Sequence, residues 1–203
     1  MSATVLQINP ASPDPEIIKT AAAILRRGGI AIFPTDTVYG IGGDGRRKEV
    51  IRRICKIKGR PAKKPLARLI SAPEEGRRWL KRPEHRKLAE RFWPGPLTLI
   101  ILLPGGPRRG FRCPEQPLIR NLIELSGIEL AATSANLSGR REVMSGEEAR
   151  QIFSERVDLI LDGGIISGPP STVLDLTVFP AKILRAGPIS RPEIEECLGY
   201  AID

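Results

Sequence analysis

The chain has 203 residues, 41% hydrophobic and 27% charged, with a formal net charge of +9, which suits one globular domain over residues 1–203. Its three cysteines are isolated, so neither a disulfide framework nor a zinc site is indicated, and a reducing, cytoplasmic location is expected. No apolar run is long enough to span a bilayer, and the few aromatic residues argue against a surface that stacks nucleic-acid bases.

The first part of the chain alternates short strands with helices. A strand is predicted over residues 4–8. Asp14 is then a good N-cap and Pro15 a good first helical residue, while the Gly28-Gly29 pair ends that helix. A buried strand at 30–33 leads into a polar run, and apolar residues at helical spacing predict a helix over 48–57.

The remaining chain continues the alternation. Strands are predicted at 66–71 and 97–103, the second nearly all apolar and therefore central. The other predicted elements are helices at 84–92, 115–125, 147–153 and from 192, and strands at 129–133 and near 159, 173 and 183. This pattern predicts an α/β fold with a single, mostly buried sheet and flanking helices, but it does not give the strand order.

The positive charge is concentrated in one segment. Residues 46–91 contain eighteen Lys or Arg against five Glu, whereas the rest of the chain has fourteen basic and eighteen acidic residues. The densest part is a cationic loop over residues 58–64, which includes Lys58, Arg60 and Lys64. Such a concentration predicts a surface that faces a polyanion, either a nucleoside triphosphate or a nucleic acid.

Polar side chains cluster where predicted strands end, which is where α/β sheets bind ligands. These polar loops are residues 35–37, 58–64, 133–139, 171–172 and 185–187. They supply cations, hydroxyls, an amide and a carboxylate, a set that can bind phosphate oxygens and a small polar molecule. No nucleophile with a neighbouring base is evident, because the only histidine, His85, is expected on an exposed helix face.

Five motifs in these loops resemble the YrdC/TsaC family of threonylcarbamoyl-AMP synthases, in its short, single-domain form. They are Pro34-Thr35-Asp36-Thr37-Val38-Tyr39-Gly40, Lys58-x-Arg60, Ser134-x-Asn136, Ser171-Thr172-Val173 and Leu184-Arg185-x-Gly187. The resemblance runs from about residue 28 to 188 and implies a twisted mixed sheet with a basic cleft.

The resemblance also implies a reaction. L-threonine takes up bicarbonate or CO2 as a carbamate, which attacks the α-phosphate of ATP to give threonylcarbamoyl-AMP and pyrophosphate. A TsaD-like partner enzyme would then transfer the threonylcarbamoyl group to tRNA. Displacing pyrophosphate by an anionic carbamate is mainly a problem of charge, so cations and positioning are expected to carry catalysis.

Residue roles follow from the same resemblance. The implied catalytic residues are Lys58, Arg60, Ser134 and Asn136. ATP would be bound by these four with Lys64, Arg112 and Arg185. Threonine would be bound by Thr35, Thr37, Tyr39, Thr133 and Ser171. No residue is expected to bind a metal directly, because Mg²⁺ would arrive on ATP.

One position departs from the family pattern and keeps other interpretations open. Leu69 stands where many members have a histidine that touches threonine, so a carbamoyl-adenylate synthase acting on another amine or on carbamoyl phosphate remains an alternative. A second alternative is a protein that binds double-stranded RNA, tRNA or the ribosome through its basic cleft. Taken singly, Thr35 and Thr37 could be turn residues, the Ser134 motif a helix cap, and Arg185 a surface cation.

Overall fold

The computed structural model describes residues 2–60 and 65–203 and confirms the predicted α/β class. Its strands are β1 (Thr4–Gln7), β2 (Ala31–Phe33), β3 (Gly40–Asp44), β4 (Ala67–Leu69), β5 (Leu97–Leu102), β6 (Arg108–Arg112), β7 (Leu130–Ser134), β8 (Leu159–Asp162), β9 (Thr172–Asp175) and β10 (Lys182–Arg185). Its helices are α1 (Pro15–Arg26), α2 (Lys48–Lys58), α3 (Pro73–Arg77), α4 (Pro83–Phe92), α5 (Pro117–Ser126), α6 (Gly146–Phe153) and α7 (Arg191–Leu198).

All the strands of the described ranges form one mixed sheet in the order β1-β8-β2-β3-β7-β4-β6-β5-β9-β10. Strand β8 pairs in parallel with both β1 and β2, and two further parallel pairs are β4 with β6 and β5 with β9. The other neighbours are antiparallel. The apolar strand β5 lies inside the sheet, between β6 and β9, as its composition predicts.

Local sequence explains the helix boundaries. The Asp14 side chain accepts a hydrogen bond from the Glu16 backbone N–H, and Pro15 occupies the first turn of α1. Helix α2 ends at Gly59, which adopts the left-handed conformation with φ of 60°. No described helix has the length and apolar character needed to cross a membrane.

Helices pack on both faces of the sheet. Helices α1 and α5 pack on one face of β2, β7 and β8, and helices α2 and α6 cover the opposite face of the same region. Helices α4 and α7 pack on β5 and its neighbours through Leu97, Leu99 and Ile101. The alternate β5 side chains, Thr98 and Ile100, line an open cleft instead.

Several local predictions were wrong or incomplete. Strands β3 and β6 and helix α3 were not predicted, because β3 reads as a glycine run and β6 begins with charged residues. Gly42 is needed for close packing, since a Cβ there would lie 2.7 Å from the Ala131 carbonyl oxygen. His85 is buried rather than exposed, and burial lowers its pKa. Cys55 and Trp93 are buried as well.

Candidate functional site

A cleft of about 410 Å³ opens on the face of the sheet that carries Thr98 and Ile100. Phe33, Leu69 and Ala132 belong both to its wall and to the core under α1 and α5, so the cleft continues the face that those helices cover. Its floor comes from β4, β5 and β6, and its rim from loops at the ends of β2, β7 and β9. The sheet thus provides a rigid base and the loops provide the polar groups.

The cleft collects most of the predicted site residues in one place. Those that line it are Thr35, Thr37, Tyr39, Arg60, Arg112, Thr133, Ser134, Ser171 and Arg185. Lys58 and Asn136 are not among the lining residues. Lys64 falls outside the described residues.

The first polar wall is a hydrogen-bonded chain from Arg112 to the β2–β3 loop. Arg112 Nη1 donates to Thr37 Oγ1 at 2.9 Å, and the two threonine hydroxyls, Thr35 and Thr37, lie 3.1 Å apart. Arg112 is nearly buried and forms an ion pair with Asp36 at 2.8 Å. Burial lowers the pKa of Arg112, while the Asp36 carboxylate opposes that shift and keeps the guanidinium charged.

The second polar wall joins Arg185 to the loop before β9. Arg185 Nε donates to the Ser171 carbonyl oxygen and Nη2 to Ser171 Oγ, both at 2.9 Å. Ser171 Oγ also lies 2.9 Å from Thr98 Oγ1. Gly187 permits this arrangement, because a Cβ there would lie 2.4 Å from the Pro170 carbonyl oxygen and the Thr172 nitrogen. Arg185 is therefore no free surface cation.

Lys58 is placed differently from its prediction. It is the last residue of α2 rather than part of a polar loop, and only 3% of it is exposed. Its Nζ donates to the carbonyl oxygens of Ser134 and Asn136 and to Asn136 Oδ1, the last at 2.9 Å. An ammonium has three N–H donors, so these three acceptors saturate it. Burial lowers the pKa of Lys58 to about 8.

Asn136 is equally occupied. Its Oδ1 accepts from Lys58 and from Ser134 Oγ, and its Nδ2 donates to the carbonyl oxygens of Leu137 and Arg140. The side chains of Lys58, Ser134 and Asn136 form a closed unit, called here the Lys58 cluster, that fixes the loop after β7. The helix-cap interpretation of Ser134 and Asn136 is wrong, because α6 begins only at Gly146.

Two further predicted residues have partners in the structure. Arg60 Nη1 donates to Thr133 Oγ1 at 3.2 Å and Nη2 to the Pro65 carbonyl oxygen at 3.0 Å, which sets its guanidinium in the cleft wall. Tyr39 contributes its ring to the wall. Its hydroxyl donates to the Gly164 carbonyl oxygen and accepts from the Gly163 N–H, and burial raises its pKa to about 12.

Many positive charges of the basic segment, residues 46–91, lie beside acidic side chains in the folded protein. Several of its arginines pair with acidic residues from elsewhere in the chain: Arg46 with Asp44, Arg53 with Asp158, Arg68 with Glu129 and Arg91 with Glu196. The charge excess that the sequence shows over residues 46–91 is therefore partly neutralised in space. This weakens the sequence argument for a broad polyanion-binding surface.

Among the described residues that line the cleft, sequence reasoning missed one polar residue, Thr98. The signal was present, because Thr98 is the one hydroxyl in the apolar run Leu97–Leu102. Only its contact with Ser171, 73 residues away, distinguishes it from an ordinary strand threonine. Leu69, at the position expected for histidine, lies in the cleft wall as an apolar side chain.

Comparison with known proteins identifies the family. The Sua5/YciO/YrdC family model, described as "Telomere recombination", matches residues 23–187. A Pyrococcus abyssi protein named threonylcarbamoyl-AMP synthase is 39% identical and aligns with 90% of this chain and 57% of its own length. A Rattus norvegicus protein of the same name is 33% identical over 89% of this chain and 71% of its own length.

Solved structures agree with this result. The structure of P. abyssi Sua5 complexed with L-threonine superposes with a TM-score of 0.88 at 34% identity, over 98% of this chain and 62% of that one. Escherichia coli YciO superposes with a TM-score of 0.87 at 27% identity, over 95% and 99% of the two chains. The chain spans 57% of the Pyrococcus abyssi and Bacillus subtilis relatives. This protein belongs to the Sua5/YciO/YrdC family.

Proposed function

We propose that this protein makes threonylcarbamoyl-AMP and pyrophosphate from L-threonine, bicarbonate or CO2, and ATP. The observation that carries the proposal is the convergence of Arg60, Arg112 and Arg185 with two hydroxyl chains on one cleft, in a fold shared with threonine-bound Sua5. The relatives named threonylcarbamoyl-AMP synthase support the same activity. In a cell the product would pass to a TsaD-like transferase for tRNA modification, and the expected compartment is the cytoplasm.

The chemistry needs positioning and charge more than a catalytic base. A carbamate oxygen attacks the α-phosphorus of ATP, a new P–O bond forms, and the bond to the β-phosphate oxygen breaks as pyrophosphate leaves. The arginines of the cleft wall would neutralise the phosphates and the leaving group, and a guanidinium can bind two oxygens at once. The hydroxyls at Thr37 and Ser171 would orient the amino acid.

Magnesium enters this proposal with ATP. The polar groups of the cleft are hydroxyls and guanidiniums, which suit an ion held by phosphate oxygens and completed by water. Bound in that way, Mg²⁺ would neutralise part of the triphosphate charge. The Lys58 cluster would keep the loop after β7 in place for the phosphates.

The test is pyrophosphate release from ATP with Mg²⁺ and bicarbonate, measured with each amino acid in turn. Release that requires both L-threonine and bicarbonate is expected, and release with another amine would retain the chemistry but reject threonine. Exposed Arg52 supplies a control, because Arg52→Met should match wild type whereas Arg60→Met should lose about 100-fold of the rate. No release with any amino acid would overturn the proposal.

RNA binding is measured in the same preparation as the competing interpretation. Binding to RNA phosphates must weaken steeply as salt rises, because counterions are released on binding. The internal pairing of Arg46, Arg53, Arg68 and Arg91 predicts weak binding with a shallow slope. Tight, steeply salt-dependent RNA binding without amino-acid-dependent pyrophosphate release would favour the RNA-binding function.

A further inference from the structure

Thr98 has no assigned role, yet it is a polar residue on the floor of the cleft. It projects from β5, lines the cleft and is only 6% exposed. Its Oγ1 lies 2.9 Å from Ser171 Oγ, and within residues 2–60 and 65–203 it has no other hydrogen-bond partner. A buried hydroxyl usually satisfies its proton, so the direction of this one bond matters.

The first polar wall, which contains Thr35, Thr37 and Arg112, shows how a chain of hydrogen bonds fixes the direction in which a hydroxyl donates. Thr35 Oγ1 donates to the Val38 carbonyl oxygen at 2.7 Å, which uses its only proton. Thr35 Oγ1 also accepts from the backbone N–H groups of Thr37 and Val38, so in the 3.1 Å contact between the two hydroxyls only Thr37 has a proton to donate. Thr37 accepts from Arg112, and when it donates to Thr35 its hydroxyl offers a ligand a lone pair.

At Ser171 the same count of protons and lone pairs leaves the serine proton free when Thr98 is the donor. Ser171 Oγ accepts from Arg185 Nη2 at 2.9 Å. If Thr98 donates to the remaining lone pair, Ser171 keeps its own proton for the cleft. Arg185 places a positive charge beside that proton, and a donor next to a guanidinium suits an anionic oxygen.

We infer that Thr98 is a positioning residue, which donates to Ser171 Oγ and so directs the Ser171 hydroxyl as a donor to an anionic oxygen of the bound amino acid. This inference rests on the proposed function, because it names a residue that orients the amino-acid substrate. Thr98 acts through Ser171 and does not itself contact the ligand. Its loss is therefore a loss of orientation at Ser171.

The test compares Thr98→Val, which removes the hydroxyl at nearly constant shape, with Thr98→Ser, which retains it. We expect Thr98→Val to raise the KM for L-threonine about tenfold, the size of one hydrogen bond, and to leave the KM for ATP within about twofold. Thr98→Ser should restore the KM for threonine to within about threefold of wild type.

The matched control is Thr177→Val, two residues beyond the neighbouring strand β9. The Thr177 hydroxyl donates to Asp175 Oδ1 at 2.6 Å, and Thr177 does not line the cleft. Its loss should lower the Tm with no change in the KM for threonine. A rise in that KM equal to that of Thr98→Val would show a general packing effect and overturn the inference.

A double-mutant cycle with Ser171→Ala tests whether Thr98 acts through Ser171. In the Ser171→Ala background, Thr98→Val should have no further effect on threonine affinity, measured by calorimetric titration as well as by KM. An undiminished effect there would mean direct ligand contact and would overturn the positioning role. A wild-type protein that turns over threonine while Thr98→Val is unchanged would overturn this inference alone. A wild type that neither binds nor uses threonine would overturn the proposed function with it.

Discussion

The Lys58 cluster and the second polar wall, formed by Arg185, Ser171 and Thr98, contain the same kinds of groups. Each has a cation with hydroxyl and carbonyl partners, but the two regions use these groups differently. In the cluster, the cation is 3% exposed and its three protons are bound by protein oxygens. In the wall, Arg185 donates to Ser171 from Nε and Nη2, and its guanidinium still faces the cleft. One group holds a loop in place, and the other faces the cleft, where we propose that the substrates bind.

The comparison shows that a cationic motif does not by itself identify an anion ligand. Lysine has a compact ammonium that three oxygens can surround, whereas the arginine fork has five donors and retains some after two bonds. The Lys58 cluster should therefore couple activity to stability. Substitutions in the second polar wall should lower activity with little change in the stability of the fold.

Lys58→Met is expected to have the largest effect. Removing the ammonium leaves the Ser134 and Asn136 carbonyl oxygens and Asn136 Oδ1 without their donor, at a cost of about 1–3 kcal/mol in the free energy of unfolding. The loop after β7 would lose its anchor, and pyrophosphate release should fall about 1000-fold. Denaturant unfolding and turnover measure the two effects.

The control for that change lies on the same helix. Lys56 is exposed, so Lys56→Met should leave both stability and rate near wild type. A Lys58→Met protein as stable as wild type would contradict the anchoring role, even if its activity were lost. It would indicate instead that Lys58 binds the phosphates directly.

Arg185→Met should show the opposite balance. The rate is expected to fall about 100-fold, because a charged donor to the ligand and the partner of Ser171 are both removed. The Tm should change little, since Arg185 is only partly buried and its strand β10 is at the edge of the sheet. Thermal unfolding followed with turnover checks this, and a fall in Tm as large as that of Lys58→Met would remove the distinction between the two regions.

Much of the fold was predictable because its elements are locally encoded. The capping Asp14, the apolar spacing of α2 and the apolar strand β5 appear where their sequences place them. Strand β3 was missed because Gly40–Asp44 has low strand propensity, and close packing between β2 and β7 is what selects its glycines. That requirement depends on neighbours distant in sequence.

Most of the residues that line the cleft could be predicted from the sequence, but their hydrogen bonds and ion pairs could not. Motif resemblance named residues that the structure brings to one cleft, including Arg112 and Ser171. It did not show that Lys58 is saturated by its own protein, nor that Arg53 and Arg91 are paired with carboxylates from distant parts of the chain. Hydrogen-bond direction and charge pairing depend on three-dimensional contacts, which a linear motif does not contain.

Gly187→Ala tests the second polar wall through its backbone, and its expected effect is smaller than that of Arg185→Met. The new Cβ would lie 2.4 Å from the Pro170 carbonyl oxygen and the Thr172 nitrogen, so the backbone around Ser171 must move. We expect turnover to fall about tenfold, mainly through the KM for threonine. Gly168→Ala is the control, because its Cβ would meet the Thr37 carbonyl oxygen at an ordinary 3.5 Å. Equal losses in both variants would contradict the role of Gly187.

The smallest expected effect is a pH dependence that separates the two regions. Burial lowers the pKa of Lys58 from 10.5 to about 8, so between about pH 8 and 10.5 the unfolded chain binds more protons than the folded one at this residue. Lys58 therefore adds stability as pH rises through that window, and adds no slope below it. Activity should move the other way, falling a few-fold above about pH 8, because the neutral amine has one donor fewer for the loop.

Arg60 and Glu142 are the charged groups that act on this pKa, the first lowering it and the second raising it, and Cys55 raises it slightly. Measuring wild type against Lys58→Met isolates the Lys58 contribution, since the other groups titrate in both proteins. Wild-type stability relative to the variant should rise between pH 8 and 10 while its relative rate falls. A relative stability and a relative rate that rise together, or fall together, would contradict the assignment of Lys58 as a charged anchor. Loss of the Lys58 proton would then change folding and catalysis in the same direction.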